Sequence, residues 1–268
     1  MKHLIPAAIR KSLVRKFLST GFWGGMEQFA FDPRKNVRED IKDKYPETGD
    51  LLDIYTSNTG EIVHKWHHYL HIYERYFSKY RGSNVKFLEI GVSKGGSLQL
   101  WRKYFGSDAI IFGIDIDEDC RQYDGRAGQV RIGSQADPAF LKDVIKEMGG
   151  VDVVLDDGSH QMEHVRISLE ALFSEVSEGG VYMIEDLHTS YWRNFGGGFA
   201  SKGNFFKYVS ELTADMHRWY HRKGVKHPEV SDYCPSIHIY DSIVVLEKAK
   251  IHCPSHSKMG NHSGSPSA

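Results

Sequence analysis

Between residues 85 and 186 the chain switches repeatedly between short aliphatic runs and amphipathic stretches, and this alternation restricts its fold more than any other feature. "VKFLEIGV", "AIIFGIDID", "QVRIGS", "VDVVLDD" and "GGVYMIED" have the length and β-branched content of strands. "GSLQLWRKYF", "PAFLKDVIKEM" and "HVRISLEALFSEV" have helical spacing. Aliphatic strands separated by amphipathic helices predict a parallel sheet covered on both faces. Further on, "FFKYVSELTADMHRWYH" predicts another helix, and "SIHIYDSIVVLEK" predicts two strands meeting near Asp241, an antiparallel hairpin at the sheet edge. Upstream, residues 61–80 read as one aromatic-rich helix, and the glycine-rich residues 194–204 as a mobile segment. The expected class is α/β: a Rossmann-like, doubly wound, mostly parallel sheet with an antiparallel C-terminal hairpin and an N-terminal helical extension. The expected divisions are a helical extension and cap over 1–80, a ligand-binding domain over 81–250 and a disordered tail over 251–268.

A chain of 268 residues with 40% hydrophobic and 26% charged residues can bury an ordinary core. Its net charge of -1 implies no nucleic-acid partner. Cys120, Cys234 and Cys253 lie far apart, which reads as reduced thiols in a cytoplasmic protein. No apolar run is long enough to span a bilayer. The first twenty residues carry five Lys or Arg and no acid, and Arg10, Lys11, Arg15 and Lys16 interrupt what a signal peptide would need to keep apolar. They predict a basic amphipathic helix. The expectation is that it packs on its own domain or on a neighbouring subunit of a homo-oligomer, with membrane-surface contact the less favoured alternative.

"LEIGVSKGGS", residues 88–97, is a strand, a glycine turn and a helix start. Gly91 permits the tight turn, and Gly95 and Gly96 would let a ligand approach the backbone. The spacing matches neither GxGxxG nor a P-loop. Glu89, just before the turn, can take an ammonium group or hold the loop. Asp115, at the end of the second strand, is placed to accept from ribose hydroxyls. Ser134 and Gln135, after the third strand, could line an adenine pocket, although Ser134 or Asp137 could equally cap the next helix.

Ligands of an open parallel sheet bind beyond the carboxyl ends of its strands. Here four strand ends carry Glu89, Asp115, the pair Asp156 and Asp157, and the pair Glu185 and Asp186. Asp157, Glu185 and Asp186 form an all-oxygen donor set suited to Mg²⁺ or Mn²⁺, with His160 beside it to accept a proton. The bland alternative is one helix cap and two solvated acids.

"FLEIGVSKGGSLQLW", "VDVVLDDGSH" and "YMIEDLHTSYW" resemble class I S-adenosylmethionine-dependent methyltransferases, and more narrowly the metal-dependent sugar O-methyltransferases that act on macrolides and on rhamnosyl groups of aromatic polyketides. "HHYLHIYERYF" is similar to a block these proteins carry upstream, so the resemblance covers roughly residues 55–250. It implies a metal at Asp157, Glu185 and Asp186 and a general base at His160. It implies S-adenosyl-L-methionine held by Glu89, Gly91, Ser93, Asp115 and Gln135, with His67 or Tyr69 closing over the methionine end. Asp156 would face the cofactor or support the metal. His188, Tyr191 and Trp192 would form the wall for a small-molecule or glycan acceptor, unless the two aromatics belong to the core. The chain departs from the family where relatives tend to have Thr-Asp-Lys: here the sequence is "SNTGEIVHKWHHY".

Rival readings are a methyltransferase of a catechol-like diol, a hydroxylase-type metal enzyme and a cofactor-binding scaffold without catalysis. A redox iron site favours two histidines and one carboxylate, which the acidic set opposes. Retention of His160 with all three acids opposes the scaffold.

Overall fold

The computed structural model describes residues 26–260. The basic stretch over 1–20 and the last residues of the tail lie outside them. The chain divides into two compact units, Met1–Tyr45 and Pro46–Ala268. In the first, a 3₁₀ turn at Met26–Phe29 precedes helix α1, Val37–Lys44, whose N-terminus is capped by the Asn36 side chain.

The second unit is built on a seven-stranded sheet. Its strands are β1 (Lys86–Ile90), β2 (Ile110–Asp115), β3 (Gln129–Ile132), β4 (Val151–Asp156), β5 (Val176–Ile184), β6 (Ser236–Ile239) and β7 (Val244–Glu247), in the order 3-2-1-4-5-7-6. The pairs from β3 to β5 are parallel, while β7 runs antiparallel to both β5 and β6. β6 and β7 form the expected edge hairpin, closed by a turn in which Tyr240 N donates to Ile243 O and Ser242 takes a positive φ.

Alternation along each strand sorts the two faces. Phe87 packs with Phe77, Trp101 and Phe105 on one side. Leu88 and Ile90 join Leu141, Val144, Val165 and Leu169 on the other. Glu89 therefore points into the aromatic side, fully buried. The helices of this unit are α2 (Gly49–Thr56), α3 (Leu70–Phe77), α4 (Gly96–Phe105), α5 (Pro138–Met148), α6 (Met162–Leu172), α7 (Phe205–Met216) and α8 (Pro228–Tyr233). Asp137, not Ser134, caps α5.

Three expectations need correction. Residues 46–80, assigned to an N-terminal extension, belong to the same compact unit as the sheet. Residues 61–66 are not helical; helical structure starts at His67 and becomes α3 at Leu70. Backbone groups here are committed elsewhere: Asn58 Nδ2 donates to Glu61 O, and Glu61 N donates to Gln99 Oε1 on α4. The glycine-rich segment is pinned, because Asn204 Nδ2 donates to both Ser190 O and Gly198 O.

Among the described residues no helix is long and apolar enough to cross a membrane. Cys120 and Cys234 are buried free thiols and Cys253 is exposed.

Candidate active site

Parallel pairing of β1, β2, β4 and β5 brings their carboxyl ends to one edge. Ile90 lies opposite Asp156, and Asp156 opposite Ile184, so the residues after each strand emerge side by side. Asp157 N donates to Ile90 O and Glu185 N to Asp156 O, which extends the pairing one residue past each strand.

Asp157, His160 and Asp186 converge there. One ligand atom from each lies within 4.8 Å of the other two. His160 Nε2 is 3.9 Å from Asp157 Oδ1 and 3.7 Å from Asp186 Oδ2. Both His160 and Asp186 have φ of 55°, in the left-handed region that side chains avoid. Ser93, in the glycine loop, has φ of 50°. Strain of this kind persists only where surrounding contacts enforce it, and it clusters at functional sites.

Glu185 has a different setting. Its carboxylate is buried, accepts from Tyr73 Oη at 2.6 Å through Oε1 and from Lys65 Nζ at 2.9 Å through Oε2. Lys65 also donates to Asp157 Oδ2 at 2.6 Å and stands 4.0 Å from Glu89 Oε1. Burial opposes the charge on Lys65, but Asp157, Glu185 and Glu89 overcome it and hold the amine well above its usual range. Burial, with Asp157 beside it, pushes the Glu185 carboxyl well above the usual carboxylate range. Burial likewise raises Glu89 to about 7. Lys65 holds its proton more tightly because acids surround it, and Glu185 does so chiefly because it is buried. Glu89, Asp157, Glu185 and Asp186 are four carboxylates, and one ammonium sits among them. A divalent cation would correct that deficit, so the donor set fits one.

Lys65, Tyr73 and Ser242 contact the candidate site, and sequence reasoning missed them. Lys65 comes from the extended segment just before His67. That segment lies on the glycine loop so closely that a Cβ on Gly96 would sit 2.2 Å from Ile62 O. Gly95 faces the Tyr123 ring, at 2.5 Å from an added Cβ. At these two glycines the protein's own chain occupies the space a side chain would need. A usable signal for Tyr73 was its spacing from Tyr69: four residues apart on a helix, both hydroxyls point the same way. Tyr69 is buried and its hydroxyl donates to Asp186 Oδ1 at 2.7 Å. It thus meets the acidic group, where the methionine end of a cofactor was expected. His67 is partly buried at the start of the same turn.

On the cofactor side, Asp115 is partly exposed, and its carboxylate accepts from Val92 N and Ser93 N at 2.9 Å each and from Asp117 N. It fastens the glycine loop from the neighbouring strand end. Beside it, α4 begins at Gly95 with no side-chain cap, a setting suited to an electronegative ligand. Gly91 has φ of 101°, and a Cβ there would lie 2.1 Å from Asp157 O. Gln135 is committed at both ends, donating to Asp156 and accepting from Ser159 N at 2.6 Å. Ser134 Oγ accepts from Ala136 N within its turn. Asp156 is buried and engaged by Ser168, Gln135, Tyr182 and Gly158 N. It braces the Asp157–His160 loop from behind and does not face a ligand. Glu89 likewise accepts from Ser97 Oγ and Trp101 Nε1, so it acts as an internal brace.

His188 stands between Trp66 and Trp192, with ring centroids 5.4 and 4.9 Å away. Its Nδ1 meets Ser242 Oγ at 2.7 Å, while Nε2 is shielded from solvent with no partner among the described residues. Burial lowers its pKa and favours the neutral ring. Tyr191 is not core: it is exposed and stacks between Phe199 and Phe206.

The sheet order, with its final antiparallel pair, defines the fold of class I S-adenosylmethionine-dependent methyltransferases. Among solved structures, the chain is similar to the MycE methyltransferase of the mycinamycin biosynthetic pathway, in complex with Mg, SAH and mycinamycin VI. The TM-score is 0.65 at 30% identity, covering 77% of this chain and 54% of that one. It is 35% identical over 211 residues to demethylmacrocin O-methyltransferase of Streptomyces fradiae, covering 73% of this chain and 53% of the relative. It is 34% identical over 199 residues to 8-demethyl-8-alpha-L-rhamnosyl tetracenomycin-C 2'-O-methyltransferase of Streptomyces olivaceus, covering 69% and 51%. The chain thus spans about half the length of the curated relatives it matches. No protein-family model matches it.

Proposed function

We propose that this protein is an S-adenosyl-L-methionine-dependent O-methyltransferase, dependent on Mg²⁺ or Mn²⁺, that methylates a sugar hydroxyl of a glycoside or glycan. The observation that carries the reading is the cation-deficient carboxylate group at the strand ends, with His160 beside it. The similarity to methyltransferases whose names specify rhamnosyl-bearing acceptors supports the sugar.

Asp157, Glu185 and Asp186 are the residues proposed to hold the metal, with His160 bordering them. A bound divalent cation would acidify an acceptor hydroxyl and fix it in place. His160 then takes the hydroxyl proton on Nε2, the nitrogen that faces both carboxylates. Asp115, Gly91 and Ser93 shape the cofactor pocket at the end of β1, with Ser134 and Gln135 toward the adenine side and His67 toward the sulfonium, while Tyr69 holds Asp186. His188 borders the acceptor beside Trp192, and Trp192 and Tyr191 offer aromatic faces to the apolar side of a sugar ring. Positioning and charge stabilisation supply most of the rate. A homo-oligomer in the cytoplasm is the setting we propose; the free thiols suit the compartment, and light scattering tests the oligomer.

The test is methyl transfer to a rhamnosyl acceptor before and after metal stripping. Activity should vanish with EDTA and return with Mg²⁺ or Mn²⁺. Full activity in a stripped preparation would remove the metal from the mechanism, and a catechol methylated in place of any glycoside would remove the sugar.

A further inference from the structure

Lys65 is buried, and its ammonium lies against oxygens of two of the three proposed metal ligands. We propose that Lys65 is a built-in rival cation, which sets the affinity of the site for divalent metal by competing for Asp157 Oδ2 and Glu185 Oε2. This role rests on the metal reading of the site.

Each oxygen of Glu185 already has a strong donor: Oε1 accepts from Tyr73 and Oε2 from Lys65. Asp157 divides its two oxygens: Oδ2 takes Lys65 and Oδ1 faces His160. The cluster that meets ligand spacing consists of Asp157, His160 and Asp186, without Glu185. Lys65 thus holds one carboxylate inside that cluster, Asp157, and one outside it, Glu185. A divalent ion that recruits Glu185 must therefore draw it away from the ammonium, or accept a positive charge a few ångströms off. Either costs affinity, because two cations at that separation repel strongly inside a protein.

The side chain has little freedom to withdraw. Lys65 lies at the end of an extended segment held by Gln99 Oε1 at Glu61 N, and Ile62 O packs against the α carbon of Gly96. Glu89, at 4.0 Å, adds attraction from below. The amine is thus tethered in the cluster, as a positioning residue whose charge acts on the metal site and not on the acceptor.

The experiment is Mn²⁺ titration of the full chain by electron paramagnetic resonance, beside calorimetric binding of S-adenosylhomocysteine as a check on folding. Four proteins are compared: wild type, Lys65→Met, Lys65→Gln and Lys65→Arg. Each neutral variant should bind Mn²⁺ about tenfold more tightly or better, since a nearby like charge is gone. Lys65→Arg keeps the charge and should stay within roughly threefold of wild type. A residue that merely supported the fold would weaken Mn²⁺ binding when neutralised. Unchanged or weaker Mn²⁺ binding, in whichever neutral variant still binds S-adenosylhomocysteine, overturns the proposal. Failure of the metal reading looks different: neither wild type nor any variant would then bind Mn²⁺. Lys65→Gln, which retains hydrogen bonding, carries the test if Lys65→Met does not fold.

Discussion

Tyr73 Oη donates to Glu185 Oε1 at 2.6 Å across 112 positions of sequence, with both side chains buried. The bond ties α3 to the end of β5 and fixes the carboxyl oxygen of Glu185 that Lys65 leaves free. One turn earlier, Tyr69 does the same for Asp186. The helix before the sheet is therefore part of the scaffolding of the candidate site.

Tyr73→Phe removes the donor and leaves its shape. Leaving a buried carboxyl oxygen without its donor costs about 1–3 kcal/mol, so urea denaturation should show a loss of that order. Binding of S-adenosylhomocysteine should survive, because the cofactor edge lies at β1 and β2. Unchanged stability would mean that Glu185 finds another donor.

The buried Glu89 predicts a pH dependence. Its folded pKa of about 7 lies above the ordinary value of 4.5, so the folded state holds the proton where the unfolded chain has released it. Stability from this residue is complete below about pH 4.5 and is lost as pH rises through about 7. Relative to Glu89→Gln, wild type should lose on the order of 2–3 kcal/mol between pH 5 and pH 8. A stability difference between the two proteins that stays flat across this range would show that Lys65 neutralises Glu89 throughout.

Gly91→Ala tests the junction between the two halves of the site. An added Cβ would stand 2.1 Å from Asp157 O at a φ of 101°. Two backbones must part, and the strain should cost roughly 2–4 kcal/mol. Since the displaced loop carries both Asp157 and His160, Mn²⁺ affinity and S-adenosylhomocysteine affinity should fall together. Loss of only one would mean that the loops move independently.

The parallel sheet was legible because its strands are aliphatic on both faces, and the hairpin because two β-rich runs meet at Asp241. The acidic strand ends came with that topology. What stayed hidden depends on contacts between distant segments. Lys65 reads as one more surface lysine until its extended segment is seen lying on Gly96. Residues 61–66 look helical by their aromatic spacing, but Gln99 captures a backbone group that a helix would need. Asp156 and Asp157 are adjacent, yet strand alternation sends them to opposite sides: one to Ser168 in the core, the other to the open edge. The twin glycines signal close approach, and nothing in their own sequence tells whether ligand or protein makes it.

At His160, the role of base can be separated from that of metal ligand. The residue has a φ of 55°, which alanine adopts poorly, so His160→Ala mixes backbone strain with the loss of the ring. Asn tolerates that conformation and cannot accept a proton at this position. His160→Asn should therefore fold like wild type, bind S-adenosylhomocysteine normally and keep Mn²⁺ within about an order of magnitude, while turnover falls by ~10²–10⁴-fold, the usual contribution of a positioned general base. Asp186→Asn should behave in the opposite way, losing Mn²⁺ affinity first and recovering part of its turnover at high metal concentration. The comparison is decisive because His160 Nε2 is nearly equidistant from Asp157 and Asp186, at 3.9 and 3.7 Å. A ring in that position can serve as a ligand as readily as a base. If His160→Asn loses Mn²⁺ as steeply as Asp186→Asn and regains its rate with added metal, His160 is a ligand, and the proton must leave by another group.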